Sequence, residues 1–332
     1  MRERTIASHF VRAALRGAGR RGHDCHELLR QSNLPVAIVD EPRARVAPEH
    51  FVHLIQLLWE TLDDEYLGLG EQPSKRGTFA MMGHAIIHCR TLEKALQRGM
   101  MFYRLFPWAA QLHLHRDNEW AYLSVTTDSQ WDPEHFLVES LLVIWHRLSS
   151  WLIGQRIRLE GTTFAYPQPA HATEYDLLFP GARRFAAEHT GLRFQARYLD
   201  MPLLQDERTL KQFLKRSPAD LLARPVGGHS LASRIRRLLG RNCTDWPNLD
   251  SVARQLHCSP QTLRRRLREE GTTFQELKDH LRRDRAIYLL SRAEFSIQTI
   301  AEQLGFSESS AFHRAFKKWT DLTPGAYRAL ER

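Results

Sequence analysis

An eight-residue pattern that occurs twice near the C-terminus constrains this chain more than any other feature. The first copy reads Val252-Ala253-Arg254-Gln255-Leu256-His257-Cys258-Ser259, and the second Ile300-Ala301-Glu302-Gln303-Leu304-Gly305-Phe306-Ser307. Val252 and Leu256, like Ile300 and Leu304, are four residues apart and share one helix face. Ala253 and Ala301 lack bulk, which lets a second helix cross closely. Gly305 can take the positive φ that a helix C-cap favours; His257-Cys258 stands there in the first copy, a less favourable but tolerated choice. Ser259 and Ser307 are expected to N-cap the helices that follow, with Pro260 at a first helical position that needs no N–H. Each copy therefore reads as a helix-turn-helix.

The second helix of each copy is the candidate recognition helix. Leu263 and Leu267 point inward in the first, Phe312 and Phe316 in the second. That leaves Gln261, Arg264, Arg265 and Arg268 outward on one, and Ser309, Ser310, His313, Arg314 and Lys317 on the other. Arginine reads guanine through two hydrogen bonds in the major groove, and Lys and Ser reach base edges or phosphates. A solvated basic face on an ordinary helix is the alternative, and a second copy at a fixed offset weakens it. Ser259 to Ser307 is 48 residues and Leu267 to Phe316 is 49, so the second recognition helix is expected to hold one extra residue before its inner aromatic. Between the copies, Thr273-Phe274-Gln275-Glu276 is a capping box, and Phe274, Leu277, Leu281, Ile287 and Leu290 recur at roughly helical spacing. A linker helix over about 273–291 would span roughly 25–30 Å. Two recognition helices on such a strut can enter successive major grooves, about 34 Å apart.

Charge points the same way. From His229 to Arg332 there are 19 Lys and Arg against 12 Asp and Glu, so most of the formal +9 of the 332-residue chain sits in its last third. An anionic partner belongs there, and the repeat favours DNA over a membrane surface. Cys25, Cys89, Cys243 and Cys258 are scattered, which gives neither a disulfide framework nor a zinc cluster and fits a reducing cytoplasm. Arg2, Arg4, Arg12 and Arg16 adjoin no continuous apolar run, so no signal peptide is expected. The most apolar stretch, 136–153, carries Glu139, His146 and Arg147 and reads as a core helix, not a membrane span.

The chain length suggests two domains. Helices are expected over 8–32 with a glycine-rich break at 17–22, from Pro48, over 79–88 and over 92–105. The period then changes. Residues 109–115 and 120–126 alternate like strands around the turn Arg116-Asp117-Asn118-Glu119. A helix over 133–153, a strand over 157–166, a short helix over 171–178, strands near 184–188 and 192–198 and a helix over 206–215 follow. Residues 1–220 thus read as an α+β domain without a βαβ repeat and 221–230 as a linker. Residues 231–332 read as an all-α domain with helix-turn-helix units at about 249–270 and 297–319.

Catalytic chemistry finds no foothold. There is no Walker loop, no G-x-G-x-x-G and no G-x-S-x-G elbow, so neither an enzyme nor a cofactor is expected. His84 and His88 share one helix face, but Ala85 stands where a zinc enzyme needs Glu, and hydrogen-bonded core or pocket histidines are the better reading. The apolar runs 79–82 and 100–108 are candidates to line a pocket, with Arg104 a candidate partner for a carboxylate ligand.

The C-terminal segment resembles the DNA-binding domain of the AraC family of transcription regulators. The resemblance rests on Ser259-Pro260-Gln261-Thr262-Leu263-Arg264-Arg265-Arg266-Leu267, on 300–308, on 312–317 with Trp319, and on Thr323-Pro324-Gly325-Ala326-Tyr327-Arg328. It covers about the last hundred residues and implies base contacts from Gln261, Arg264 and Arg265, then Ser309, Ser310, His313 and Arg314. The order of 45–47, 66–69, 77–82 and 91–96 resembles the arabinose-binding type of effector domain, found in the subgroup that includes ornithine-utilisation regulators. That implies a small-molecule sensor rather than a taste for arabinose. Together these imply a cytoplasmic regulator of transcription, activator or repressor, whose partners are double-stranded promoter DNA, a small-molecule effector, RNA polymerase and a second copy of the chain, with no membrane. A DNA-binding enzyme is the alternative. Methyl-accepting repair proteins join such a domain to a zinc-bound cysteine, but isolated Cys25 and Cys89 do not supply the thiolate cluster this needs.

Overall fold

The computed structural model describes residues 5–41, 44–106, 110–216, 231, 235, 238–239, 246–269, 272–290, 292 and 294–330. In chain order its N-terminal elements are β1 (Ile6–Ala7), α1 (Ser8–Arg20), α2 (Cys25–Gln31), β2 (Arg45–Val46), α3 (Pro48–Leu62), α4 (Thr78–Ile86), α5 (Leu92–Tyr103), β3 (Gln111–Arg116), β4 (Trp120–Thr126), α6 (Phe136–Leu152), β5 (Leu159–Thr163), α7 (Tyr175–Leu178), β6 (Ala182–Arg184), β7 (Gly191–Gln195) and α8 (Glu207–Arg216). The C-terminal elements are α9 (Leu249–Gln255), α10 (Pro260–Glu269), α11 (Phe274–Leu290), α12 (Ile297–Gln303), α13 (Ser309–Thr320) and α14 (Pro324–Leu330). The linker expected at 221–230 lies outside the described residues, as do Cys243 and 107–109.

The chain forms two compact units: His9–Leu28 with Val52–Arg224, and Met1–Ser8 with Leu29–Phe51 and Pro225–Arg332. The first is α+β, built on a five-stranded sheet of order β3-β4-β7-β5-β6. Asp117 turns β3 into β4, its carboxylate accepting the N–H of Glu119 (2.9 Å) and Trp120 (2.7 Å). Alternation then sorts the faces: Ala121, Leu123, Val125, Leu192 and Phe194 are buried, and α6 packs against β4. Their neighbours Tyr122 and Arg193, paired across the strands, lie on the opposite face. β5 and β6 are parallel, joined through α7, so one βαβ unit exists where the sequence pattern showed none, though it does not repeat.

The expected break falls at the end of its range: α1 runs through Gly17 and Gly19 to Arg20, and Gly22 takes a positive φ (81°) before α2. A Cβ at Gly17 would stand 1.9 Å from the Leu67 carbonyl oxygen, so glycine lets the helix close on the loop at 67–68. Buried Asp64 shapes that loop by accepting from the N–H groups of Tyr66, Gly68 and Ser74.

The second unit holds the described C-terminal helices around two apolar clusters. Val252, Ala253, Leu263, Leu267, Leu277 and Leu281 belong to one. Ile287, Leu290, Ile300, Ala301, Leu304, Phe312, Phe316 and Tyr327 belong to the other. The inward positions read from the repeat are therefore the buried ones, except half-buried Leu256, and α11 contributes a different stretch to each cluster. In the same unit β1 pairs antiparallel with β2, Ile6 opposite Val46 and Ala7 opposite Arg45. Thr5 donates its hydroxyl to Asp284 of α11 (2.6 Å), and Tyr327 of α14 donates its hydroxyl to the Arg45 carbonyl.

Candidate nucleic-acid interface

The two helix-turn-helix units match element by element. Asn248 caps α9 by accepting the Ser251 N–H (2.9 Å), and Ser296, 48 residues later, caps α12 by accepting that of Thr299 (3.0 Å). His257 (φ 53°) and Gly305 (φ 72°) both take the left-handed conformation that closes the turn. Ser259 caps α10 as expected, accepting the Thr262 N–H at 3.1 Å. Ser307 does not cap α13. Glu308 holds that position with no side-chain capping bond, and the helix starts at Ser309. The extra residue of the second copy therefore lies in the turn, not inside the recognition helix.

On α10, Gln261, Arg264, Arg265 and Arg268 are exposed, as their spacing requires. Arg266 is exposed too; helical spacing next to inward Leu267 gave no sign of it. On α13, Ser310, Arg314 and Lys317 are exposed, while Ser309 and His313 are half-buried. His313 Nδ1 lies 2.9 Å from the Ser309 carbonyl oxygen, a fit for a donated proton that leaves Nε2 as an acceptor. The Ser310 hydroxyl donates to Glu308 (3.0 Å). Each recognition helix thus presents a polar, basic face, backed by Leu263 and Leu267 or by Phe312 and Phe316.

The strut between them is built as the sequence indicates. Thr273 and Glu276 form the reciprocal capping box, at 2.8 and 3.2 Å. At 17 residues, α11 is about 25 Å long. Its Arg282 lies over the rings of Trp246 (5.3 Å) and Phe306 (4.7 Å) and donates to the Gly305 carbonyl (3.3 Å). Burial lowers the Arg282 pKa, with its guanidinium held over both rings. A Cβ at Gly305 would come within 2.9 Å of Trp246, so glycine answers both the positive φ and the close approach.

The other candidate side chains of the sequence are dispersed. His88 lies past the end of α4 and meets Glu207 at 3.0 Å. Arg104 is an exposed C-cap of α5, and Met81, Met101 and Leu105 are exposed as well, while residues 107–108 of the second run lie outside the described residues. The helical period puts them outside while Met82, Met100 and Tyr103 fill the core. Cys89 is buried and its thiol is pushed up by burial, the reverse of an activated thiolate. Among the described residues no group of three or more His, Cys, Asp or Glu could hold a metal ion, and no helix is long and apolar enough to cross a membrane.

Residues 22–203 match the family model of the arabinose-binding domain of AraC transcription regulators, and residues 252–330 match that of a helix-turn-helix domain. The chain belongs to the AraC family of transcription regulators. It is 31% identical over 293 residues to the ornithine utilization regulator of Pseudomonas aeruginosa, covering 88% of this chain and 86% of that one. It is 26% identical over 330 residues to an uncharacterized HTH-type transcriptional regulator of Mycobacterium tuberculosis, covering 93% and 92%. Among solved structures it aligns with the transcriptional regulator CdpR from Pseudomonas aeruginosa at 20% identity and a TM-score of 0.32, over 96% and 97%. The protein is thus a regulator and not an enzyme, with a DNA-binding C-terminal domain and an N-terminal domain of the effector-binding type.

Proposed function

We propose that the protein switches transcription by reading promoter DNA through α10 and α13 in two successive major grooves. Gln261, Arg264, Arg265 and Arg268 serve the first groove; Ser309, Ser310, His313, Arg314 and Lys317 serve the second. Functionally, 1–220 senses the effector, 221–230 links, and 231–332 reads DNA. A second copy of the chain and RNA polymerase complete the promoter complex, in the cytoplasm. The observation that carries the reading is the pair of matched helix-turn-helix units on one strut, each turning a basic helix face to solvent.

Binding of the full chain to DNA from upstream of its own and neighbouring genes, with random DNA as competitor and salt titrated, tests it. A site held with at least roughly 10³-fold preference supports the reading. Binding that tracks only salt, on every sequence alike, opposes it. Arg265→Ala or Arg314→Ala should cost roughly 1–3 kcal/mol on the specific site alone if each reads a base.

A further inference from the structure

One carboxyl group in the N-terminal domain is buried with half of its hydrogen-bonding capacity unmatched. Glu139 sits in the first turns of α6 and is 3% exposed. Tyr166, beyond β5, donates its hydroxyl to Oε1 at 2.8 Å, and Tyr175 of α7 donates to the same oxygen. Oε2 is buried and, among the described residues, has no hydrogen-bond partner. Asp132, just before α6, repeats the pattern: Oδ2 accepts the Val138 N–H at 3.0 Å while Oδ1 is buried and unmatched. Buried polar atoms are nearly always hydrogen-bonded, so two such oxygens in one neighbourhood call for a donor.

Aromatic rings pack around the two tyrosines that hold Glu139. Phe164 stacks on Tyr175 (4.8 Å) and Phe185 (5.0 Å). On the outer side, half-buried His171 has Nε2 3.4 Å from the Tyr175 hydroxyl and stacks on His9 at 3.6 Å, and His135 stacks on Tyr166 at 3.8 Å. Burial lowers the pKa of His9 and His171 to about 4, so neither ring supplies positive charge at neutral pH.

We propose that this cluster is the effector site and that it takes a small molecule bearing an ammonium or guanidinium group, bound to Glu139 Oε2 within the rings of Tyr166, Tyr175 and Phe164. The proposal rests on the reading of this domain as an effector sensor. Once Glu139 is ionised, its carboxylate repels an anionic headgroup. A cation meets both needs at once: its donors satisfy Oε2, and its charge is matched by the carboxylate.

The chemistry predicts a proton count. Burial pushes Glu139 up to about 8, against the two tyrosine bonds that lower it, and the charge of Asp132 adds to the rise. Near pH 7 the free protein therefore holds Glu139 mostly protonated. An amine arrives as its ammonium, so forming the ion pair sends the Glu139 proton to solvent. Close to one proton is released per ligand, and affinity rises about tenfold per pH unit below the Glu139 pKa.

The test is calorimetry on the full chain at pH 7, in two buffers of different ionisation heat. Probes are n-butylamine, putrescine and agmatine, with n-butanol and butyrate as controls. The expected result is binding of at least one amine with about one proton released, none by the controls, and a loss of about 100-fold or more in Glu139→Gln, the scale of a severed buried charge pair. Should Glu139→Gln not fold, Tyr175→Phe keeps the ring, loses one donor to Oε1 and is expected to weaken binding several-fold. The proposal is overturned if none of the amines binds, if butyrate or butanol binds as well, or if the variant that folds binds like the natural chain. Promoter binding is measured on the same protein. Specific DNA binding without amine binding removes this inference alone; no specific DNA binding at all removes the reading beneath it.

Discussion

Asp284 of α11 is the hub of a buried ionic knot, and its replacement is the most informative stability experiment. Its side chain is 8% exposed, accepts the Thr5 hydroxyl at 2.6 Å, and lies 4.0 Å from Arg45 Nε and 3.2 Å from the Arg283 guanidinium. Arg45, itself buried, donates to the Thr5 hydroxyl oxygen (2.7 Å) and to the Thr5 carbonyl (2.9 Å). Asp284→Ala takes the carboxylate from a buried guanidinium, a change worth about 3–5 kcal/mol when one partner of a buried pair is removed. The two bonds from Arg45 to Thr5 survive, so we expect the lower end, about 3 kcal/mol. For a unit of this size that lowers Tm by roughly 6–12 °C. Thermal unfolding of the full chain, followed by tryptophan fluorescence, reads it. The cycle with Arg45→Met isolates the coupling: the double variant should be more stable than the sum of the two single losses by about 1.5 kcal/mol or more. Additive losses, or an Asp284→Ala variant within about 0.5 kcal/mol of the natural chain, refute the reasoning, because both would mean that the knot is solvated in solution.

Further outcomes follow from single positions. Gly17→Ala would gain up to about 1 kcal/mol of helix propensity, but its Cβ meets the Leu67 carbonyl at 1.9 Å, so denaturant titration should show a net loss of several kcal/mol. His257→Gly should stabilise by up to about 1 kcal/mol, since a left-handed residue with a Cβ is strained; Gly305→Ala should do the opposite, and equal effects in both would sink the matched-turn argument. Glu139 holds its proton in the folded chain far above the range of an unfolded glutamate. Its contribution to stability therefore falls as pH rises from about 4.5 to about 8, by up to 1.4 kcal/mol per unit. Glu139→Gln, titratable in neither state, should gain on the natural chain across that window in urea titrations, and a constant difference would show that Glu139 ionises normally.

What could be read from the sequence was whatever is written in local spacing. The two helix-turn-helix units were legible because Val252/Leu256 and Ile300/Leu304 repeat at helical period and both turns sit at the same offset. The cap of α13 was misplaced because a serine before a helix is a good cap wherever the helix starts, and only the backbone shows that Glu308 takes the position. The parallel pairing of β6 was invisible because three residues, 182–184, carry no alternation of their own. The two buried acids fall between these cases. Asp284 lies on the same stripe of α11 as Leu277, Leu281 and Tyr288, and Glu139 lies in the most apolar helix of the chain. An acid on an apolar stripe has to find donors, since a bare buried charge is too costly, so the existence of a partner was implied. Its address was not. Tyr166 and Tyr175 come 27 and 36 residues after Glu139, and Thr5 stands 279 residues before Asp284. No period links such positions, and only the folded chain brings them together. A helical acid flanked by apolar residues at three- and four-residue spacing is therefore worth marking in advance as a site in search of a donor, whether a hydroxyl from elsewhere in the chain or a cation from solution.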